Sequence, residues 1–266
     1  MRSTNESRLL TTSSLPGGRR ARRITSLAAI GCAALAISHV VELRAHVPSP
    51  QDVLERFLAS HTRRSPVPYR AFRRLEVSSA KMKASGWVEA LTEFDPEAGM
   101  RYQVLAEEGT GRIRSLLKGV LDGERQATLP GKSSSAALTL ANYEFQPGMV
   151  DENGLVPLRV KPRRRETTLV DGTIFVTAEG GDLVRVEGRL AKNPSFWTRS
   201  VDVVRRYERR AGRMVVVEVR SLADVKLLGL WEFVMQYEYD SVNGQAAHDG
   251  PPKILALRFA GAMNDR

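Results

Sequence analysis

The chain has 266 residues, 42% hydrophobic and 26% charged, with a net charge of +10 at neutral pH. That composition supplies enough apolar material for a core and excludes a largely disordered chain. The charge is a weak pointer to nucleic acid, because half of it lies in residues 1–23, where six arginines face the single acid Glu6, and the rest is spread thinly.

Arg19, Arg20, Arg22 and Arg23 precede residues 24–41, a run without formal charge that is rich in Ala, Ile, Leu and Gly. A basic segment followed by an apolar one reads as a secretory signal or as an uncleaved transmembrane helix that anchors the N-terminus. As a helix the run spans about 27 Å, just under a hydrocarbon core of about 30 Å, so length does not choose between them. The arginines hold their end in the cytoplasm and send the rest across. The expectation is export to the bacterial periplasm, soluble or tethered. Cys32, the only cysteine, follows Ala29, Ile30 and Gly31 and resembles a lipobox cysteine. Ala in place of the usual leading Leu, and an apolar run that continues past Cys32, argue against lipidation. The folded part has no cysteine for disulfides. The chain thus divides into a basic leader with signal or anchor (1–43), a β domain (44–245) and a tail (246–266) with a candidate last strand at 253–259.

Ser49, Pro50 and Asp52 predict a capped helix start, and Val53, Leu54, Phe57 and Leu58 give a helix over 51–61 one apolar face. Pro66 and Pro68 end it. From Tyr69 the period changes to two, which predicts strands at 69–78, 82–94 and 99–107. Ile113, Leu116, Leu117, Val120 and Leu121 then recur at helical spacing and predict an amphipathic helix over 111–126. A loop at 127–137 leads to strands at 138–145, 155–161, 167–177, 183–190, 199–208 and 213–222, separated by turn residues such as Asn153-Gly154 and Ala211-Gly212. In 225–239 every odd position is apolar, aromatic or glycine. This predicts one strand of roughly 50 Å, bent at Gly229. The whole reads as mainly β (α+β): a strongly curved antiparallel sheet or half-open β-barrel of about 10–11 strands, with two helices acting as plug or lid.

Motifs for chemistry are sparse. Gly131, Lys132 and Ser133 mimic the end of a phosphate-binding loop, but Gln126 stands where a glycine is required. His39, His46, His61 and His248 include no pair at metal-ligand spacing, so no metal is expected. No serine lies in a nucleophile-elbow pattern. Glu107-Glu108 and Asp151-Glu152 read as solvated turn acids rather than acid/base pairs, and Arg163, Arg164 and Arg165 as a solvated hairpin corner that is able to meet anionic lipid. No aromatics interleave with these arginines, which argues against RNA. Phe196 and Trp197, after Pro194, cost free energy if left wet, so they are expected to plug a core or rim a cavity.

The capped N-terminal helix, about eleven antiparallel strands and an amphipathic helix after the third strand, in an exported chain, resemble the periplasmic lipoprotein-sorting carriers and their outer-membrane receptors, the LolA/LolB-like fold. The segment 172–188, followed by Ser195-Phe196-Trp197-Thr198 and 201–207, looks like uncharacterised members of that family. The resemblance spans roughly residues 49–245 and rests on the order of elements, so no site residue is carried over by motif. It implies a non-enzymatic, cofactor-free protein with a hydrophobic concave face under a helical lid, binding a lipid, acyl chain or acylated lipoprotein for transport. Related folds serve as envelope sensors or interaction domains, which is the alternative. On this expectation Leu227, Trp231, Phe233, Met235 and Tyr237, with Phe196 and Trp197, form the ligand wall, and Leu116, Leu117 and Leu121 the lid. A membrane surface or envelope protein is a further partner to expect, and nucleic acid is not.

Overall fold

A computed structural model describes residues 48–63, 65–129 and 136–247. The leader with Cys32, the segment holding Gly131, Lys132 and Ser133, and the strand expected at 253–259 lie outside the described residues.

The first helix, α1 (Pro50–Arg63), begins on the expected capping box. Ser49 N–H donates to Asp52 Oδ2 at 3.2 Å and Asp52 N–H donates to Ser49 Oγ at 3.1 Å, so two otherwise unpaired amides are satisfied reciprocally. Three strands follow, β1 (Tyr69–Ser79), β2 (Ala84–Asp95) and β3 (Gly99–Glu108), then α2 (Gly111–Ala127). Thr110 caps α2 by accepting the Ile113 N–H. The remaining strands are β4 (Tyr143–Pro147), β5 (Leu155–Pro162), β6 (Val170–Thr177), β7 (Leu183–Leu190), β8 (Thr198–Arg210), β9 (Arg213–Val225), β10 (Gly229–Val242) and the two-residue β11 (Gln245–Ala246).

These strands form one open antiparallel sheet in the order β3-β2-β1-β10-β9-β8-β7-β6-β5-β4, with β11 on β10. Two meanders, β1 to β3 and β4 to β10, meet where β1 pairs with β10 from Tyr69 opposite Val242 to Ser78 opposite Glu232. Gly172 and Gly188 face each other across β6 and β7. A Cβ on Gly172 would stand 1.9 Å from the Glu187 carbonyl oxygen, so the strands come together there only because neither residue has a side chain.

Both helices cover the same face. One register row runs Leu158, Ile174, Val186, Arg205, Val219, Met235, Leu75 and Val88 across β5 to β2. At one end Val53, Leu54 and Phe57 of α1 pack on Val156, Leu158, Ile174 and Val186. At the other, Ile113, Leu117 and Leu121 of α2 pack on Leu75, Val77, Val88, Ala90 and Met235. Fully burying one such leucine is worth about 1.5–3 kcal/mol, so each helix is held by its apolar stripe.

Two expected elements are corrected. The strand at 138–145 is a strand only from Tyr143, because Asn142 N–H and Tyr143 N–H both donate to Thr139 O and close a turn. The single strand at 225–239 is two strands and a hairpin: Leu228 N–H donates to Val225 O at 3.2 Å, and Leu227 (φ 66°) and Gly229 (φ 80°) turn the chain back. Alternation ran through the turn because the turn residues are themselves apolar.

Candidate functional site

The inner face offers the candidate site. On β10 the alternation places Trp231, Phe233, Met235 and Tyr237 on the face covered by α2. Met235 is buried against Leu117 and Leu121, while Trp231, Phe233 and Tyr237 are half-buried. α1 makes its main contacts with β4, β5 and β6, and α2 with β1, β2 and β3. Between the helices lies a strip of β8, β9 and β10 carrying Arg205, Tyr207, Val219 and Phe233, all half-buried.

The expected wall and lid residues separate. Leu117 and Leu121 are fully buried under α2, whereas Leu116 lies on its outer side, 55% exposed. Leu227 stands on the hairpin tip rather than on the wall. Phe196 and Trp197 do not plug a core: they pack edge to face on each other at the sheet rim, with ring centroids 5.7 Å apart, and remain exposed. The loop is anchored by its backbone, through Lys226 N–H donating to Trp197 O at 2.8 Å, so the rings are free to point outward.

Two arginines on the dry face were missed. Arg73 is completely buried beneath α2. Its guanidinium donates to both carboxylate oxygens of Glu124 at 2.8 and 2.9 Å, to Tyr237 Oη at 3.0 Å and to the Met235 sulfur. Burial pulls its pKa down, but the Tyr237 oxygen and the Glu124 carboxylate to which it donates more than offset this, and the group stays cationic. Burial likewise raises the Tyr237 and Tyr207 phenols, so both are neutral hydroxyls. Arg205 holds an inward register position between Val186 of β7 and Val219 of β9, and its charge partly offsets the effect of burial on the Tyr143, Tyr207 and Tyr237 phenols. Among the described residues no carboxylate pairs with Arg205. The signal was present in sequence: Arg73 and Arg205 hold inward positions in the alternations Ala71, Arg73, Leu75 and Val203, Arg205, Tyr207.

The Trp231 indole N–H is enclosed and makes no hydrogen bond. An enclosed donor without a partner costs about 1–3 kcal/mol. The perimeter of α2 is closed by further polar contacts: Arg114 and Lys118 both reach Glu107 at 3.1 Å, and Tyr102 Oη donates to Asp122 at 2.9 Å. The turn acids divide accordingly. Glu107 anchors α2, Glu108 accepts the Trp87 indole N–H, and Asp151 accepts the Asn153 and Leu155 amides. Among the described residues no cluster of His, Cys, Asp and Glu is placed to hold a metal ion, and no helix is long and apolar enough to cross a membrane.

These features define an open, curved, mainly β sheet with two helices on one face and a half-buried strip of mixed polarity between them. No protein-family model matches the chain, and no curated protein matches it. Among solved structures it is similar to a LolA superfamily protein from Nitrosomonas europaea, at 12% identity and a TM-score of 0.37, over 76% of this chain and 95% of that one. A likeness at that level decides neither ligand nor activity.

Proposed function

We propose that the chain is a non-enzymatic protein of the bacterial envelope that binds an acyl chain, as free lipid or as the anchor of an acylated lipoprotein, on the inner face of its sheet. The carrying observation is the coverage of that face: one helix at each end and, between them, a half-buried strip in which Val219 and Phe233 stand with Arg205 and Tyr207. Trp231, Phe233, Met235 and Tyr237 form the wall, and Leu117 and Leu121 the movable cover. Burying ligand surface against them contributes about 25 cal/mol per Å². The unpaired Trp231 N–H and the Arg205 guanidinium are the polar groups in reach of a carboxyl or ester head. α2 is the lid, closed in this structure with Leu117 and Leu121 seated on the sheet. Export rests on the leader, and transport of lipid or lipoprotein is the role that an acyl-binding face of this kind serves.

The test is lipid extraction and mass spectrometry of protein purified from an envelope fraction, with uptake of a fluorescent fatty acid as the second readout. Phe233→Glu in a folded variant is expected to lower uptake at least tenfold by placing a charge on the wall. Lipid-free protein that takes up no fatty acid, or a Phe233→Glu variant that binds like the parent, would sink this reading.

A further inference from the structure

Strict antiparallel pairing sends successive connections to alternate ends of the sheet, and the two ends differ in chemistry. The connections at one end are 80–83, 109–110, 163–169, 191–197 and 226–228. They carry Lys81, Lys83, Lys192, Lys226 and the arginines 163–165, against a single acid, Glu166. Those at the other end are 96–98, 148–154, 178–182, 211–212 and 243–244. They carry Glu97, Asp151, Glu152, Glu179 and Asp182 and no lysine or arginine.

The basic rim also holds exposed apolar side chains. Phe196, Trp197 and Leu227 are 78%, 57% and 80% exposed, with Met82, Leu228 and Leu230 beside them. Contacts join these tips into one surface: Lys226 Nζ lies 3.7 Å from the Phe196 ring centroid, and Lys81 Nζ donates to Leu227 O at 2.9 Å. Arg165 Nε reaches Ala191 O at 3.4 Å, tying the arginine corner to the same rim. Leu227 occupies a left-handed turn position (φ 66°) that glycine or asparagine fills at lower cost. The strained position therefore presents an exposed leucine.

We infer that this rim docks on an anionic phospholipid bilayer, seating Phe196, Trp197, Leu227 and Leu228 at the level of the headgroups while the lysines and arginines meet lipid phosphates. Aromatic rings favour that interface, basic residues add attraction to anionic lipid, and lysine stems lie along apolar surface with the ammonium in the headgroup layer. The charge asymmetry orients the molecule, since the connections of the opposite rim carry no lysine or arginine to meet lipid phosphates, and Arg209 beside them is paired with Asp182. The Trp231 end of the inner face then faces the membrane. Docking does not rest on ligand binding by that face: a chain that retains no lipid still docks.

The test uses the full chain with Trp87→Phe and Trp231→Phe, so that Trp197 alone reports, and phosphatidylcholine vesicles with or without phosphatidylglycerol, some of them acyl-brominated. Vesicles containing phosphatidylglycerol are expected to shift Trp197 emission to the blue, and brominated ones to quench it. Lys81→Gln/Lys192→Gln/Lys226→Gln should weaken the response about a hundredfold, roughly fivefold per lysine. Phe196→Ser/Leu227→Ser should abolish quenching in a chain whose circular dichroism is unchanged. Because quenching reports the depth of Trp197 itself, attachment through residues 24–41 leaves it silent. Co-sedimentation with a silent Trp197, or an equal response to vesicles lacking phosphatidylglycerol, overturns the proposal. A blue shift that grows with protein concentration in the absence of vesicles also overturns it, and assigns the rim to a second copy of the chain.

Discussion

Arg73 shows what one residue decides here. Its place in the alternation of β1 puts a guanidinium on the dry face, where desolvation would be prohibitive without a partner. Glu124, on the last turns of α2, supplies that partner in a two-pronged pair, and thereby couples the position of the helix to the charge state of the sheet. Removing Glu124 alone leaves the cation buried. Glu124→Ala is expected to destabilise the protein by about 2–4 kcal/mol, whereas the double variant Arg73→Met/Glu124→Leu should recover most of that loss. Urea unfolding of the three proteins checks both statements, and a double variant no more stable than Glu124→Ala would refute them. Arg73 was legible as an inward cation from parity alone. Its partner was not, because Glu124 lies 51 residues away on another element.

At the scale of elements, local signals were read well wherever they sit in adjacent residues. The Ser49-Asp52 box, α2 with Leu117 and Leu121 on its buried face, and most of the strand alternations became the expected structure. The β9–β10 hairpin escaped because a turn is usually recognised by polar or glycine-rich residues, and this one is made of Lys226, Leu227 and Leu228. Apolar alternation continued across it without a break. The strain at Leu227 gives a direct check: Leu227→Gly should raise stability by up to about 1 kcal/mol, the relief of the left-handed backbone exceeding the added freedom of the unfolded chain. A thermal midpoint that does not rise would show that the turn is not strained. The core reading of the Phe196-Trp197 loop failed for a related reason. Two adjacent aromatics carry no periodicity, so their hydrophobicity suggested burial while nothing local said which way they point.

Across the whole molecule, the sheet depends on two features: the β1–β10 joint, which unites the two meanders, and the Gly172–Gly188 approach, which lets β6 and β7 come together under α1. Gly172→Ala places a methyl inside the Glu187 carbonyl and should cost about 3 kcal/mol or more, because backbone rather than a flexible side chain must move. Loss of a cooperative unfolding transition, or a midpoint far below the parent's, checks it, and a neutral effect would mean that the two strands are free to separate. The arrangement of charge belongs to this scale as well. Lys81, Arg163–Arg165, Lys192 and Lys226 are dispersed over about 145 positions of sequence and become one rim only when antiparallel pairing gathers alternate connections. By itself the sequence determined the two helices and most of the strands, since caps, turns and periodicity are properties of neighbouring residues. Only the tertiary structure decided that β1 closes on β10, that the helices cover opposite ends of one face, and that Phe196, Trp197 and Leu227 stand outside the core. Those outcomes follow from pairing and packing between residues remote in the chain, whose energetics no local pattern encodes.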